Sequence, residues 1–318
     1  MAWTVLVPKG IHPAGTQWLD EHGMTLKWMS GTDEASIVRD IASCDAVLAR
    51  THAFTRTVIE AAPKLKIIAR HGVGVDNIDL DACEARGIIV CNAPMSNANA
   101  VAEHTIALLL ACAHQLMVVN REFLAGHYGI RDEALGTDVE QKALGLIGCG
   151  RIGRLVAQKA MHGLEMQVLC YDPFLSQQQM PEGVHKCETM EEVFAQADFV
   201  SLHLPVTAQT RGCIDARVLS HMKPTAYLIN CARGEVVDQQ ALYEALKMGR
   251  IAGAGLDVFE QEPPGMIPLL YLENVIATPH SAAQTREAGM RMSLHAAQEI
   301  VRVYQGQAPL WQVKRPHA

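Results

Sequence analysis

Aromatic residues are scarce: Phe, Trp and Tyr together make up 5% of the 318 residues. A β-sandwich leans on such rings for its core, so their scarcity, set beside 24 glycines, favours tightly packed α/β layers. A basic excess is also lacking. The net charge of −7 leaves no cationic face for a duplex, which argues against nucleic acid as the main partner. The nine cysteines, Cys44, Cys83, Cys91, Cys112, Cys149, Cys170, Cys187, Cys213 and Cys231, form no CxxC pair. An odd, scattered set reads as reduced thiols rather than a disulfide framework. The opening MAWTVLVPKG has neither the basic start nor the long apolar run of a signal peptide and reads as a strand, so a cytoplasmic protein is expected.

What the sequence does have is apolar material: 49% hydrophobic against 19% charged residues, enough to bury a core in two ordinary domains and to exclude global disorder. Short apolar runs at Thr4–Val7, Ala46–Ala49, Lys66–Ala69, Ile88–Cys91, Ala143–Ile147, Gln167–Tyr171, Phe199–Leu202, Tyr227–Asn230 and Gly253–Asp257 read as strands. Helical patterns such as Glu34–Ile41, Arg56–Ala61 and Leu80–Arg86 separate them. That alternation predicts βαβ units and two parallel sheets, one in each half. The segment Val101–Val119 resembles a membrane span in length, but Glu103, His104, His114 and Gln115 interrupt it. It is expected to be one helix buried on all sides, as happens where two domains meet.

Leu144–Gly153 (LGLIGCGRIG) is an apolar run followed by Gly148-x-Gly150-x-x-Gly153 and a helical pattern, Arg154–Gly163. Strand before and helix after is the context a dinucleotide-binding loop requires. Gly148 would allow the tight turn, Gly150 the approach of a pyrophosphate, and Gly153 close helix–strand packing. N–H groups near Arg151 and Ile152 would then face phosphate with the helix dipole behind them. Asp172, nineteen residues beyond Gly153, ends the next strand. It can accept from both ribose hydroxyls and would repel a 2′-phosphate, which favours NAD over NADP. Cys149 is either a small neutral filler or a thiol that exposes the loop to oxidation.

Three stretches follow strands in the second half: NCARGEVVD at Asn230–Asp238, DVFEQEPP at Asp257–Pro264 and TPHSAAQT at Thr278–Thr285. Singly, Arg233 could be a surface ion-pair partner, Glu262 a solvated charge and His280 a capped loop histidine. After a dinucleotide loop they divide the labour of hydroxyl oxidation. His280 takes the proton, Glu262 orients the imidazole and favours its protonated form, and the Arg233 fork holds an α-carboxylate and polarises the carbonyl.

These segments, with YDP at Tyr171–Pro173 and LHLPVTAQT at Leu202–Thr210, are similar in order and spacing to the D-isomer-specific 2-hydroxyacid dehydrogenases, and most resemble the D-3-phosphoglycerate dehydrogenase and hydroxypyruvate reductase branch. The resemblance runs essentially end to end. It implies Arg233, Glu262 and His280 as catalytic residues. It further implies NAD contacts at Arg151, Ile152, Asp172, Leu204, Pro205, Cys231, Ala232 and Asp257, the last near the nicotinamide. The implied architecture is a Rossmann NAD domain (99–285) inserted into a flavodoxin-like substrate domain (1–98 with 286–318), dimerising through the long helix of the NAD domain. No metal is implied.

The first half adds ARTHAFT at Ala49–Thr55 and RHGVGVDNID at Arg70–Asp79. By resemblance, Gly72, Val73 and Gly74 meet the substrate carboxylate through backbone N–H groups. Arg50, with Thr51, either binds a substrate phosphate or braces the strand end. His52 and His71 could add positive charge or hydrogen-bond locally.

Two departures stand out. Ser281, Ala282 and Ala283 replace glycines found in many relatives, which puts the nicotinamide-side contacts there in doubt. The sequence stops at Ala318 without the regulatory extension of some phosphoglycerate dehydrogenases, so control by serine through such a domain is not expected. The expected substrate is a small D-2-hydroxy acid or its 2-keto partner: 3-phosphoglycerate, with glycerate/hydroxypyruvate or glyoxylate close behind. Glu262 argues against formate oxidation, because formate dehydrogenases carry glutamine there. The rival from another class is an NAD-sensing binding protein of the corepressor type. Such proteins tend to carry extensions for partner motifs, and this chain has almost no sequence outside its domains.

Overall fold

The computed structural model describes residues 2–313; Met1 and residues 314–318, which the expected first and last domain segments include, lie outside the described residues. Among the described residues the backbone forms two compact units, residues 2–97 with 284–313, and Ala98–Ala283.

In the first unit, β1 (Thr4–Val7), β2 (Thr25–Trp28), β3 (Ala46–Ala49), β4 (Ile67–Arg70) and β5 (Ile89–Cys91) form a parallel sheet in the order β2-β1-β3-β4-β5. This is the flavodoxin-like arrangement. Its central strands are apolar and buried on both faces, as a parallel sheet covered by helices requires. The C-terminal helix Arg286–Tyr304 returns to this unit and lies against the helix Pro13–Glu21. Thr285 caps its N-terminus by accepting from Ala288 N at 3.1 Å. The two helices approach so closely at Gly15 that a β-carbon there would collide with Ser293.

The second unit holds β6 (Ala143–Ile147), β7 (Gln167–Tyr171), β8 (Val184–Lys186), β9 (Phe199–Leu202), β10 (Tyr227–Asn230), β11 (Gly253–Leu256) and β12 (Val275–Ala277). The order β12-β11-β10-β9-β6-β7-β8 is the dinucleotide-binding arrangement with a seventh strand added at one edge. Every pair is parallel. The order reverses between β6 and β9, and ligands of such sheets bind beyond the carboxyl ends of the strands at that point.

Two expectations need correction. β2, β8 and β12 have no counterpart in the sequence reading. All three are sheet edges: TLKW and VHK mix polar with apolar residues, and VIA, though apolar, is only three residues long. The single helix expected over Val101–Val119 is two helices, Ala98–Ala113 and Leu116–Leu124, bent by 61° at the break. Gln115 sits there at φ 50°, a left-handed conformation that ends the first helix. The first half packs across β10, β11 and β12. The second buries none of its residues and presents Leu116, Met117, Phe123 and Leu124 outward. No single helix among the described residues is long and apolar enough to cross a membrane.

Candidate active site

The loop from β6 into the helix Arg151–Leu164 separates the duties of its three glycines. Gly148 has φ +97°, and a β-carbon on it would stand 2.8 Å from the His203 carbonyl oxygen. Gly153 lies so close to the Gly148 carbonyl that a β-carbon would collide with it. Gly150 is different. Its φ of −71° suits any residue, and a β-carbon there would meet nothing within 4 Å. Neither backbone conformation nor packing requires glycine at 150. A ligand approaching the helix N-terminus does require it, because a side chain would occupy the place of the phosphate. The loop therefore fits a dinucleotide. Gly150 is also the N-cap and offers no side chain to the first N–H groups of the helix, which carries Arg151 and Ile152 in its first turn.

Asp172 steadies this loop from the end of β7. Its Oδ2 accepts from Cys149 N at 2.9 Å and its Oδ1 from Phe174 N at 3.0 Å. Each carboxylate oxygen retains a second lone pair for a ribose hydroxyl. Cys149 is buried under the loop with its thiol hydrogen-bonded to Cys170, which lowers the Cys149 thiol and, with burial, raises Cys170. Leu204 and Pro205 follow β9, and the Leu204 side chain borders the Gly148 turn.

Cys231, Ala232 and Arg233 leave the end of β10. Burial pushes the Cys231 thiol up to about 12, so it serves as a neutral lining group. Asn230, which the sequence reading quoted without a role, organises this turn: its Oδ1 accepts from Ala232 N at 3.0 Å and its Nδ2 donates to Arg233 O at 2.9 Å. An asparagine at a strand end that hydrogen-bonds two residues onward is the signal that could have found it. Arg233 Nη1 donates to Ala232 O at 2.7 Å. Gly234 then touches the backbone of the next loop, where any β-carbon would collide with the Phe259 carbonyl.

That next loop carries Glu262. Its Oε1 accepts from Phe259 N at 3.2 Å and its Oε2 lies 2.6 Å from His280 Nδ1. Burial works to raise the Glu262 carboxyl, but the His280 hydrogen bond and charge, the Phe259 N–H and the Arg233 guanidinium together hold it below its ordinary value. With Nδ1 facing a carboxylate, His280 directs Nε2 the other way on a side chain that is 50% exposed. One imidazole nitrogen is thus anchored, and the ring remains reachable. Glu262 and His280 meet within one unit, and the Arg233 charge acts on Glu262 from the same unit.

His280 adopts φ 50°, a left-handed conformation costing roughly 1–2 kcal/mol for a residue with a β-carbon. The surrounding bonds enforce it. His280 N donates to Asp257 O at 2.8 Å and Thr278 O at 3.0 Å, while Ser281 N and Ala282 N each donate to the Asp257 carboxylate at 2.8 Å. Asp257, expected beside the nicotinamide, is fully buried with both oxygens turned onto this loop. Ser281 and Ala282 supply those two N–H groups.

In the first unit, Arg50 directly follows β3, and its Nη1 would stand 2.6 Å from a β-carbon on Gly10. Thr51 is exposed in the bend that follows. Asn77 Nδ2 donates to Arg50 O at 3.0 Å and to His52 O at 2.6 Å. The Gly72–Gly74 turn is held by its carbonyls: Ala93 N donates to Gly72 O, Asn92 Nδ2 to Val73 O and Arg70 Nε to Gly74 O. Gly72 needs its glycine, with φ +135°. His71 is buried. Burial first, then the Arg50 and Arg70 charges, push it down from 6.5 to about 4, so it is a neutral residue and not a source of positive charge.

Two predictions follow from this geometry. Gly150→Val should leave the melting temperature unchanged and abolish NADH binding measured by fluorescence, whereas Gly153→Val should lower the melting temperature through overpacking of about 1–3 kcal/mol. His71 gives a pH dependence. The unfolded chain takes up its proton near 6.5 and the folded chain near 4, so stability falls as pH drops through that interval. Chemical denaturation at about pH 5 should give on the order of 2 kcal/mol less from this group than at pH 7, and His71→Gln should flatten that slope.

Residues 106–282 match the family model described as D-isomer specific 2-hydroxyacid dehydrogenase, NAD binding domain. The D-3-phosphoglycerate dehydrogenase of Archaeoglobus fulgidus is 39% identical over 95% of this chain and 57% of its own length. The chain spans about half the length of the curated D-3-phosphoglycerate dehydrogenases it matches. The glyoxylate reductase of Korarchaeum cryptofilum is 39% identical over 96% of this chain and 94% of its own. Among solved structures, an NADPH-dependent glyoxylate/hydroxypyruvate reductase from Sinorhizobium meliloti, in complex with NADP and malonate, superposes with a TM-score of 0.88 at 29% identity, covering 100% of this chain and 100% of that chain. With its two parallel-sheet units and its NAD-binding domain, the chain belongs to the D-isomer specific 2-hydroxyacid dehydrogenase family.

Proposed function

We propose that this protein is an NAD-dependent oxidoreductase that moves hydride between the nicotinamide and C2 of a small D-2-hydroxy acid or its 2-keto partner. The observation that carries the reading is the 2.6 Å bond between His280 Nδ1 and Glu262 Oε2, on a ring that remains half exposed, in the same unit as a glycine loop fit for a dinucleotide. Bound on that loop, NAD supplies the hydride acceptor and NADH the donor. His280 Nε2 accepts the C2 hydroxyl proton in oxidation and returns one to the carbonyl oxygen in reduction. Glu262 balances the imidazolium formed in between. The planar Arg233 fork holds the substrate carboxylate and polarises the reacting carbonyl, which a lysine point charge could not reproduce. Asp172 selects NAD against NADP through its carboxylate at the end of β7.

In the first unit, Arg50, Thr51 and the Gly72–Gly74 turn are our candidates for holding the acid end of the substrate. Arg50 favours 3-phosphoglycerate, since a guanidinium at a strand end suits a phosphate. A glyoxylate or hydroxypyruvate reductase is the second reading, supported by a 39% identity to the glyoxylate reductase that equals the identity to the D-3-phosphoglycerate dehydrogenase. We further propose a homodimer seated on the outward apolar face of Leu116–Leu124, a surface of the kind that marks subunit contact. The nine unpaired cysteines support a reducing compartment such as the cytoplasm.

A panel of 2-keto acids with and without a phosphate, alongside D-3-phosphoglycerate in the oxidative direction, should show turnover at the NADH absorbance. NADH binding with no turnover on any acid would favour a binding module instead. His280→Ala should lower turnover by about 10²–10⁴ while NADH still binds; a change confined to NADH affinity would refute the proton role.

A further inference from the structure

The helix Ala98–Ala113 packs across β10, β11 and β12 and brings His104 to the far side of the His280 loop from Glu262. His104 Nε2 lies 3.0 Å from Thr278 Oγ1 and 3.6 Å from Asp257 Oδ1. Thr278 Oγ1 is itself 2.5 Å from Asp257 Oδ1. A carboxylate only accepts, and a threonine hydroxyl has one proton to give. Thr278 therefore donates to Asp257, and its oxygen must accept from His104, whose Nε2 carries the hydrogen. The direction of the chain is fixed by counting protons: His104 to Thr278 to Asp257.

At the other end of that chain, Asp257 accepts from Ser281 N and Ala282 N, the two N–H groups that follow His280. Its own carbonyl accepts from His280 N. A fully buried carboxylate is tolerated only when its lone pairs are matched by donors, and His104 can also bring positive charge toward it. We propose that His104 is a positioning residue for His280: it fixes the Thr278 hydroxyl on Asp257, and Asp257 then holds the left-handed turn that presents the imidazole. The inference rests on the proton role proposed for His280.

Without His104 the Thr278 oxygen loses its donor, the hydroxyl is held less firmly on Asp257, and the two N–H bonds behind His280 loosen. The His280 ring then moves relative to Glu262. Displacements of about 1 Å in such a group cost on the order of 10²-fold in rate.

The test uses the full chain with His104→Ala, the volume-conserving His104→Phe and the donor-conserving His104→Gln, whose amide N–H takes the place of Nε2–H. In Ala and Phe, kcat for keto-acid reduction should fall about tenfold or more with KM for NADH nearly unchanged, and the isotope effect with deuterated NADH should rise. His104→Gln should recover kcat to within about threefold. A smaller folded fraction alone would leave the isotope effect where it was. In labelled protein, the His280 imidazole NMR signals should shift in Ala and Phe and return in Gln. Wild-type kcat and unshifted His280 signals in His104→Phe would overturn the proposal. If the wild-type protein turns over no acid, the proton role of His280 fails, and the NMR comparison alone decides whether His104 holds the ring.

Discussion

Asp257 is an aspartate with no access to water, and a buried carboxylate constrains everything around it because each lone pair must find a donor. It meets that demand with Thr278, Ser281 and Ala282, drawn from a single loop 21 to 25 residues further along the chain. In doing so it fixes the one non-glycine residue of the candidate site that sits in a left-handed conformation, His280. Strain of this kind persists only where neighbouring bonds over-determine it, and here they do so at a group suited to carry a proton. The opposite edge of the same ring is set by Glu262, itself tied to the Phe259 N–H.

The dinucleotide loop obeys a different constraint. Gly148 and Gly153 answer to the protein, one to the turn and the other to helix–strand contact, while Gly150 answers to nothing in the protein at all. At the N-terminus of a helix that follows a strand, such a glycine leaves the backbone open to the close approach of a phosphate. Asp172 joins the two parts of this site: it steadies the loop through Cys149 N and stands where a ribose would lie.

Sequence legibility followed burial. The central strands, such as ALGLI at Ala143–Ile147 and YLIN at Tyr227–Asn230, are apolar on both faces and announce themselves. The edges β2 and β8 mix polarity and β12 is an apolar run of only three residues, so their pairing is decided by neighbours a sequence does not display. The break at Gln115 was hidden because both helices around it are apolar, one from burial in the core and the other on an outward face. Within the candidate site, Arg233, Glu262 and His280 were singled out by the motifs NCARGEVVD, DVFEQEPP and TPHSAAQT that follow the dinucleotide loop. The bracing around them was not. His104 and Thr278 are 174 residues apart, and no local pattern links a mid-helix histidine to a distant hydroxyl. Asn230 and Asp257 turn inward, so their work is visible only once the strand ends are side by side.

The account depends on charge as well as geometry at the Glu262–His280 pair. Steady-state reduction of the best 2-keto acid by Glu262→Gln, with NADH binding measured on the same preparation, tests this most directly. Glutamine can still accept from His280 Nδ1 but cannot balance an imidazolium, so turnover should fall by about 10²-fold or more with NADH affinity retained. Wild-type turnover in that variant would contradict it.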